Sequence, residues 1–404
     1  MLCFNRIFDI MDYQMVNNNI LQIDETYQND LCLEGFLQMM KDPSYCYKFY
    51  WLEAIVILIS EGKTSATFSE IIDEMIARAW YTVEEYYVHL SGIGSDGEVR
   101  DGLERAVIKL KAITNLPGNA SRAQVKAELI KHAEELKVEK MQLTHMVPYR
   151  ALAGFFEKDL KSDDWNSTSR IMEYARRMNA RKLLPYIFDE GIGLQRKIVF
   201  HPLWMNMIQD NTVSILGWIQ YEKLRWLQKN NPDVRSIVNK LESIDDNKKM
   251  RKLTQVHKLW DAVLDFGPID DVFTSKPISK NYEYDIDHFI PWSFVMNDEL
   301  WNLMPMDSSL NSAKSNQLPK WDPFFERFAN NQFHLYELIH EKEQIHKLFT
   351  LCEKDNLHSL WAIRELYHPG HEESVFKKIL EDNMVSEYKS ARLQGYSIWD
   401  YSVS

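Results

Sequence analysis

An aspartate and a histidine stand side by side in DIDHFIPWSF, residues 285–294, at the edge of an apolar stretch. An imidazole near its ordinary pKa of ~6.5 can take a proton from water at neutral pH and give it up again, which is the chemistry of a general base. A histidine in apolar company also has a plain structural use, held in a core by hydrogen bonds, and His288 alone does not separate the two. Its neighbours bear on the choice. Asn302 follows fourteen residues later, Asn311 nine beyond that, and then Lys314. Asn311 and Lys314 are three apart, so on a helix they share one face.

The elements that must position these residues can be read from the pattern. In NYEYDID, Tyr282, Tyr284 and Ile286 alternate with Glu283, Asp285 and Asp287, a period of two that predicts a strand with one buried face. LWNLMPM, 300–306, is a second short apolar run and predicts a second strand carrying Asn302. DSSLNSAKSNQLP then offers Asp307 or Ser308 as an N-cap, a short polar helix, and Pro319 as a stop. The order is strand, loop, strand, helix. A hairpin followed by a helix can fold Asn311 back against Asp287.

On these residues the stretch 285–319 resembles the HNH, or ββα-metal, nuclease motif. It is similar to the HNH module of RNA-guided CRISPR effector nucleases and to free-standing bacterial HNH proteins. Six features fall in order: Asp287-His288, Pro291, Asn302-Leu303, Asn311, Lys314-Ser315 and Pro319. The likeness covers about 35 of 404 residues. It implies that Asp287 and Asn311 bind a divalent metal, Mg²⁺ with Mn²⁺ as second choice, and that His288 is the general base. It further implies that Asn302 braces the loop that aims His288, that Lys314 touches phosphate, and that Asp285 is an outer acid. Phosphodiester hydrolysis needs a deprotonated water and a cation for the charge that builds on phosphate. A hard ion held by two protein oxygens keeps positions open for both. Two departures stand out. Asn311 occupies the place of the motif's last histidine, which disfavours zinc. The cysteine pairs that staple many such folds are absent, so flanking helices must hold the site.

The rest of the chain reads as helices. Hydrophobic content is 45% and charged content 26%, with 14 Gly and 13 Pro, which favours helices over a turn-rich sandwich. The expected fold is mostly α: a helical N-terminal domain at 1–145, a helical middle region at 146–267, and a nuclease domain at 268–404 with a small ββα core and C-terminal helices. Ser121 and Gln124 have capping-box spacing. FYWLEAIVILIS, 49–60, is too short to span a bilayer and contains Glu53, so it predicts a buried core helix. The four cysteines are scattered, which fits a reducing cytosol. The net charge of −12 argues against a protein that coats nucleic acid, though not against a local grip. Two basic clusters offer one: Arg170, Arg177 and Arg181, and Lys249, Arg251 and Lys252. GIGSDG, 92–97, follows a helical pattern rather than a strand and lacks the context of a dinucleotide fingerprint. His334, His340 and His346 are six apart and do not share a helical face.

The sequence therefore predicts a bacterial, cytoplasmic, metal-dependent endonuclease acting on DNA, with no membrane segment. Its helical N-terminal region would recognise a protein partner, a second copy or a DNA feature, and restriction or phage defence is the analogous setting. The competing readings are an RNA-cutting enzyme, a toxin, and a helical interaction protein whose HNH core is silent or awaits an activator.

Overall fold

A computed structural model describes residues 21–401, apart from 22, 24, 41–42, 93–97, 146, 157–159, 181–182, 233, 242–252 and 356. Most of these residues are helical. They form two compact units, Met1–Pro232 and Asp233–Ser404. Residues 146–232 lie in the first unit and 233–267 in the second, so the middle region expected at 146–267 is divided between them.

In the first unit, the Tyr47–Ser60 helix is apolar on every face. Phe49, Tyr50, Trp51, Ile55 and Ile59 are all buried, as a central helix requires. Glu53 lies among them and is 1% exposed. Burial alone would raise its carboxyl pKa. Lys223 Nζ at 2.8 Å and Arg78 Nη2 at 2.8 Å outweigh burial and hold it below the usual range. A three-stranded antiparallel sheet completes the unit. Strand β1 (Ser65–Thr67) and strand β2 (Tyr186–Phe188) flank strand β3 (Lys197–Phe200). The Arg122–Lys131 helix opens with the capping box that its sequence predicts, Ser121 with Gln124. No described helix is long and apolar enough to cross a membrane.

The second unit holds a small hairpin of strands β4 (Ile269–Asp270) and β5 (Pro277–Ile278), followed by the expected strand, loop, strand and helix. Strands β6 (Tyr284–His288) and β7 (Leu303–Asp307) pair antiparallel, with Asp287 opposite Met304 and His288 opposite Leu303. The Ser308–Lys314 helix follows directly. Asn302 is not on the second strand. It ends a short 3₁₀ turn, Leu300–Asn302, just before it.

Helices take over the work of a cysteine staple. Phe289 follows β6 directly and is fully buried. Its ring lies 4.8 Å from Phe328 and 6.0 Å from Trp321, on the Trp321–Glu341 helix. Gln332, on that helix and 0% exposed, donates from Nε2 to the carbonyls of Leu300 (3.2 Å) and Leu303 (2.7 Å). Those bonds satisfy backbone groups at the start of β7 that would otherwise be buried without partners. Behind the motif, Tyr388 donates to the Pro319 carbonyl at 2.7 Å, and Leu318 forms an isolated parallel bridge with Ile398.

Candidate active site

Strand alternation sorts the residues of β6. Ile286 and His288 are buried on one side, while Asp285 and Asp287 are partly exposed on the other. Asp307, at the end of β7, is the N-cap of the helix and accepts from the backbone N–H of Ser309 (2.9 Å) and Leu310 (3.2 Å). Its carboxylate also accepts from the hydroxyls of Ser309 and Tyr282. The Ser309 hydroxyl, then that of Tyr282, hold its pKa down at about 2, against an ordinary 3.8. A depressed pKa means that the stabilisation is complete above pH 4 and is lost as pH falls towards 2. Asp307→Asn keeps a capping oxygen and removes that titration. The variant should therefore show a shallower fall in melting temperature between pH 4 and pH 2.

The helix lies along β6 so that one helical turn matches one two-residue step of the strand. Asn311 Nδ2 donates to Asp285 Oδ2 at 3.1 Å. Three residues on, Lys314 Nζ donates to Asp287 Oδ2 at 2.8 Å and to the His288 carbonyl at 2.7 Å. The register differs from the sequence expectation in one respect: Asn311 meets Asp285, and Asp287 is met by Lys314. Lys314 is 0% exposed. It is neither a solvated side chain nor a free phosphate contact, and its ammonium is committed to two oxygens.

Asn302 is fully buried and clamps the loop that leaves β6. Its Oδ1 accepts from Ile290 N–H at 2.8 Å and its Nδ2 donates to the Ile290 carbonyl at 2.9 Å. Alanine would strand both backbone groups. At about 1–3 kcal/mol for each buried polar group left unpaired, Asn302→Ala should lose about 2–6 kcal/mol of stability. Asn302→Asp should also be destabilised, since it sets an oxygen against the Ile290 carbonyl. Chemical denaturation of the two variants checks both.

His288 is 1% exposed. Its Nε2 lies 3.1 Å from the Asn297 carbonyl and 3.1 Å from Asp298 Oδ1. Both partners only accept, so when the ring is neutral the proton sits on Nε2 and the lone pair is on Nδ1. No hydrogen bond joins the ring to the Asp285–Asn311 and Asp287–Lys314 pairs. The link is through backbone, by way of the His288 carbonyl on Lys314. Asp298 went unmarked at the sequence level. The one signal was an acid ten residues after the histidine, in the loop between the two strands.

The donor set fits a hard cation. Asp285, Asp287 and the amide oxygen of Asn311 are all oxygen donors, few enough to leave room for substrate and water. Lys314 Nζ already holds one oxygen of Asp287 together with the His288 carbonyl, so an ion at Asp287 would share that carboxylate with an ammonium. Among the described residues there is no group of three His, Cys, Asp or Glu arranged to hold a metal ion.

The basic residues are less concentrated. Arg170 is exposed and pairs with Asp164 at 3.0 Å, while Arg177 is exposed and lies 4.0 Å from Glu173. Arg181, Lys249, Arg251 and Lys252 lie outside the described residues.

Compared with known families, residues 271–320 match the HNH endonuclease family model. This segment is similar to HNH endonucleases. The matched span runs from Asp271, which supports the Asp307 end of β7 through its Oδ2 (3.3 Å to Asp307 N), to Lys320, just past Pro319. It thus contains the whole hairpin and helix of the HNH core, with Asp285, Asp287, His288, Asn302, Asn311 and Lys314. No curated protein and no solved structure matches the chain.

Proposed function

We propose that this protein is a Mg²⁺-dependent endonuclease that hydrolyses DNA phosphodiester bonds through its HNH module. The observation that carries this reading is the pair of carboxylates on one face of β6, met in register by Asn311 and Lys314. Asp287 and Asn311 would hold the ion, with Asp285 orienting Asn311. The bound ion would supply charge stabilisation to the phosphate in the transition state. His288 is buried on the opposite side of β6 from the two carboxylates, so its Nδ1 would reach the attacking water only after its surroundings move; it would then take the proton as the water oxygen bonds to phosphorus and the bond to the 3′ oxygen breaks. The products are a 5′-phosphate and a 3′-hydroxyl. Asn302 keeps the loop in place while this happens. One site cuts one strand per event.

The burial of His288 favours a second reading of the same site. Substrate or a partner would first have to expose the Nδ1 side of the ring, so that the module rests closed until it is engaged. A role in restriction or phage defence suits a nuclease held in that way.

The test uses the full chain with supercoiled plasmid, linear duplex, single-stranded DNA and RNA, each with Mg²⁺ or EDTA. Nicking of plasmid that needs Mg²⁺ and disappears in Asp287→Ala is expected. Cutting of RNA alone would replace DNA as the substrate. Cutting that survives EDTA and Asp287→Ala would refute the proposal.

A further inference from the structure

We infer that Asp298 is a positioning residue for His288, holding the imidazole from the face opposite its working nitrogen. This rests on the reading of His288 as the base.

The geometry begins with the backbone. The short Trp292–Val295 helix ends at Met296, whose φ of 54° and ψ of 28° are left-handed. That turn is uncommon for a side chain with a Cβ and redirects the chain at once. It brings two successive acceptors, the Asn297 carbonyl and the Asp298 carboxylate, to Nε2 at the same 3.1 Å. The loop is then tied down on its far side. Glu299 Oε2 accepts from Trp301 Nε1 at 2.7 Å and from Ser359 N–H at 3.3 Å, and Leu300 N–H donates to the Leu357 carbonyl at 3.0 Å. Three consecutive residues, 298 to 300, thus have fixed partners, and the one with an acid aimed at the ring is Asp298.

A carbonyl alone suffices to select the Nε2–H form. The carboxylate adds two things a carbonyl does not. It holds the ring by a charge-assisted hydrogen bond, which is stronger than a neutral one. It also supplies a counter-charge to a ring that becomes cationic once it takes a proton in a nearly dry setting, where an unpaired charge is costly. The Asp298 side chain is 14% exposed and that of His288 2%, so solvent does little to screen the pair. The serine-protease aspartate acts on its histidine by the same physics.

The experiment compares Asp298→Ala and Asp298→Asn with the parent protein, alone and in a His288→Ala background. Plasmid nicking is measured at saturating Mg²⁺, and kcat and KM are separated. Asp298→Ala should lower kcat at least about tenfold with KM for DNA unchanged. Asp298→Asn should fall between, because its amide oxygen still accepts but carries no charge. In the His288→Ala background neither change should have further effect. Selective ¹⁵N labelling of histidine gives a readout that does not need turnover: the Nε2–H form should hold in both proteins, while the Nε2–H proton, far downfield in the parent, should move upfield in Asp298→Ala as the charge-assisted bond is lost. Should Asp298→Ala not fold, Asp298→Asn carries both arms. Parent-like kcat and an unchanged ring spectrum in the Asp298 variants, with His288→Ala inactive, would overturn the inference and leave the base assignment standing. Full activity in His288→Ala would remove both.

Discussion

Replacing His288 by alanine is expected to lower the rate of DNA nicking by about 10²- to 10⁴-fold, the usual contribution of a positioned general base. That corresponds to about 2.7–5.5 kcal/mol of transition-state stabilisation. The loss should fall on kcat, because the ring faces Asn297 and Asp298 and holds neither the Asp285–Asn311 pair nor the Asp287–Lys314 pair. Mg²⁺ affinity, read by the metal dependence of thermal stability, should therefore stay near the parent value. A parallel loss of metal binding would mean that the histidine shapes the site rather than acting in it.

The second large effect concerns Lys314. Methionine preserves the buried stem and removes the ammonium, leaving Asp287 facing no positive charge and the His288 carbonyl without its donor. Breaking a buried pair from one side typically costs about 3–5 kcal/mol. The Asp287 side chain is 16% exposed, so water relieves part of that, and Lys314→Met should lose about 2–3 kcal/mol. The sign of the metal response is the sharper outcome. In the parent, a divalent ion arriving at Asp287 must share it with an ammonium 2.8 Å away. In the variant it meets an uncompensated carboxylate. Added Mg²⁺ should raise the melting temperature of Lys314→Met more than that of the parent. An equal rise in both proteins would show that Lys314 and the ion do not compete.

The parts that were legible in the sequence were those fixed by local rules. Alternation in NYEYDID marked β6, Asp307 marked the helix start, and the three-residue spacing of Asn311 and Lys314 put both on the face that meets the strand. The bracing role of Asn302 came from the resemblance alone, and its place in a turn ahead of the second strand, not on it, was not legible. What the pattern did not contain was register. Nothing in the spacing states whether Asn311 lies beside Asp285 or Asp287, since a shift of one strand step exchanges them. Nor does spacing tell how deep a lysine sits: Lys314 is polar in type and wholly buried in fact, because two oxygens meet its charge. Asp298 was invisible for a related reason. Its relation to His288 depends on the left-handed turn at Met296, and a methionine gives no hint of such a turn, whereas a glycine would have.

The bonds from Gln332 and the packing of Phe289 on Trp321 and Phe328 have a further consequence. The fifty residues that carry the family signature are not a detachable cassette. Their rigidity is borrowed from side chains downstream of residue 320 and from the strip near Ile398 that closes over Leu318. Evolution can therefore retune this site from a distance: a change in how the Trp321–Glu341 helix sits would reach the Asp285–Asn311 and Asp287–Lys314 pairs without altering either pair.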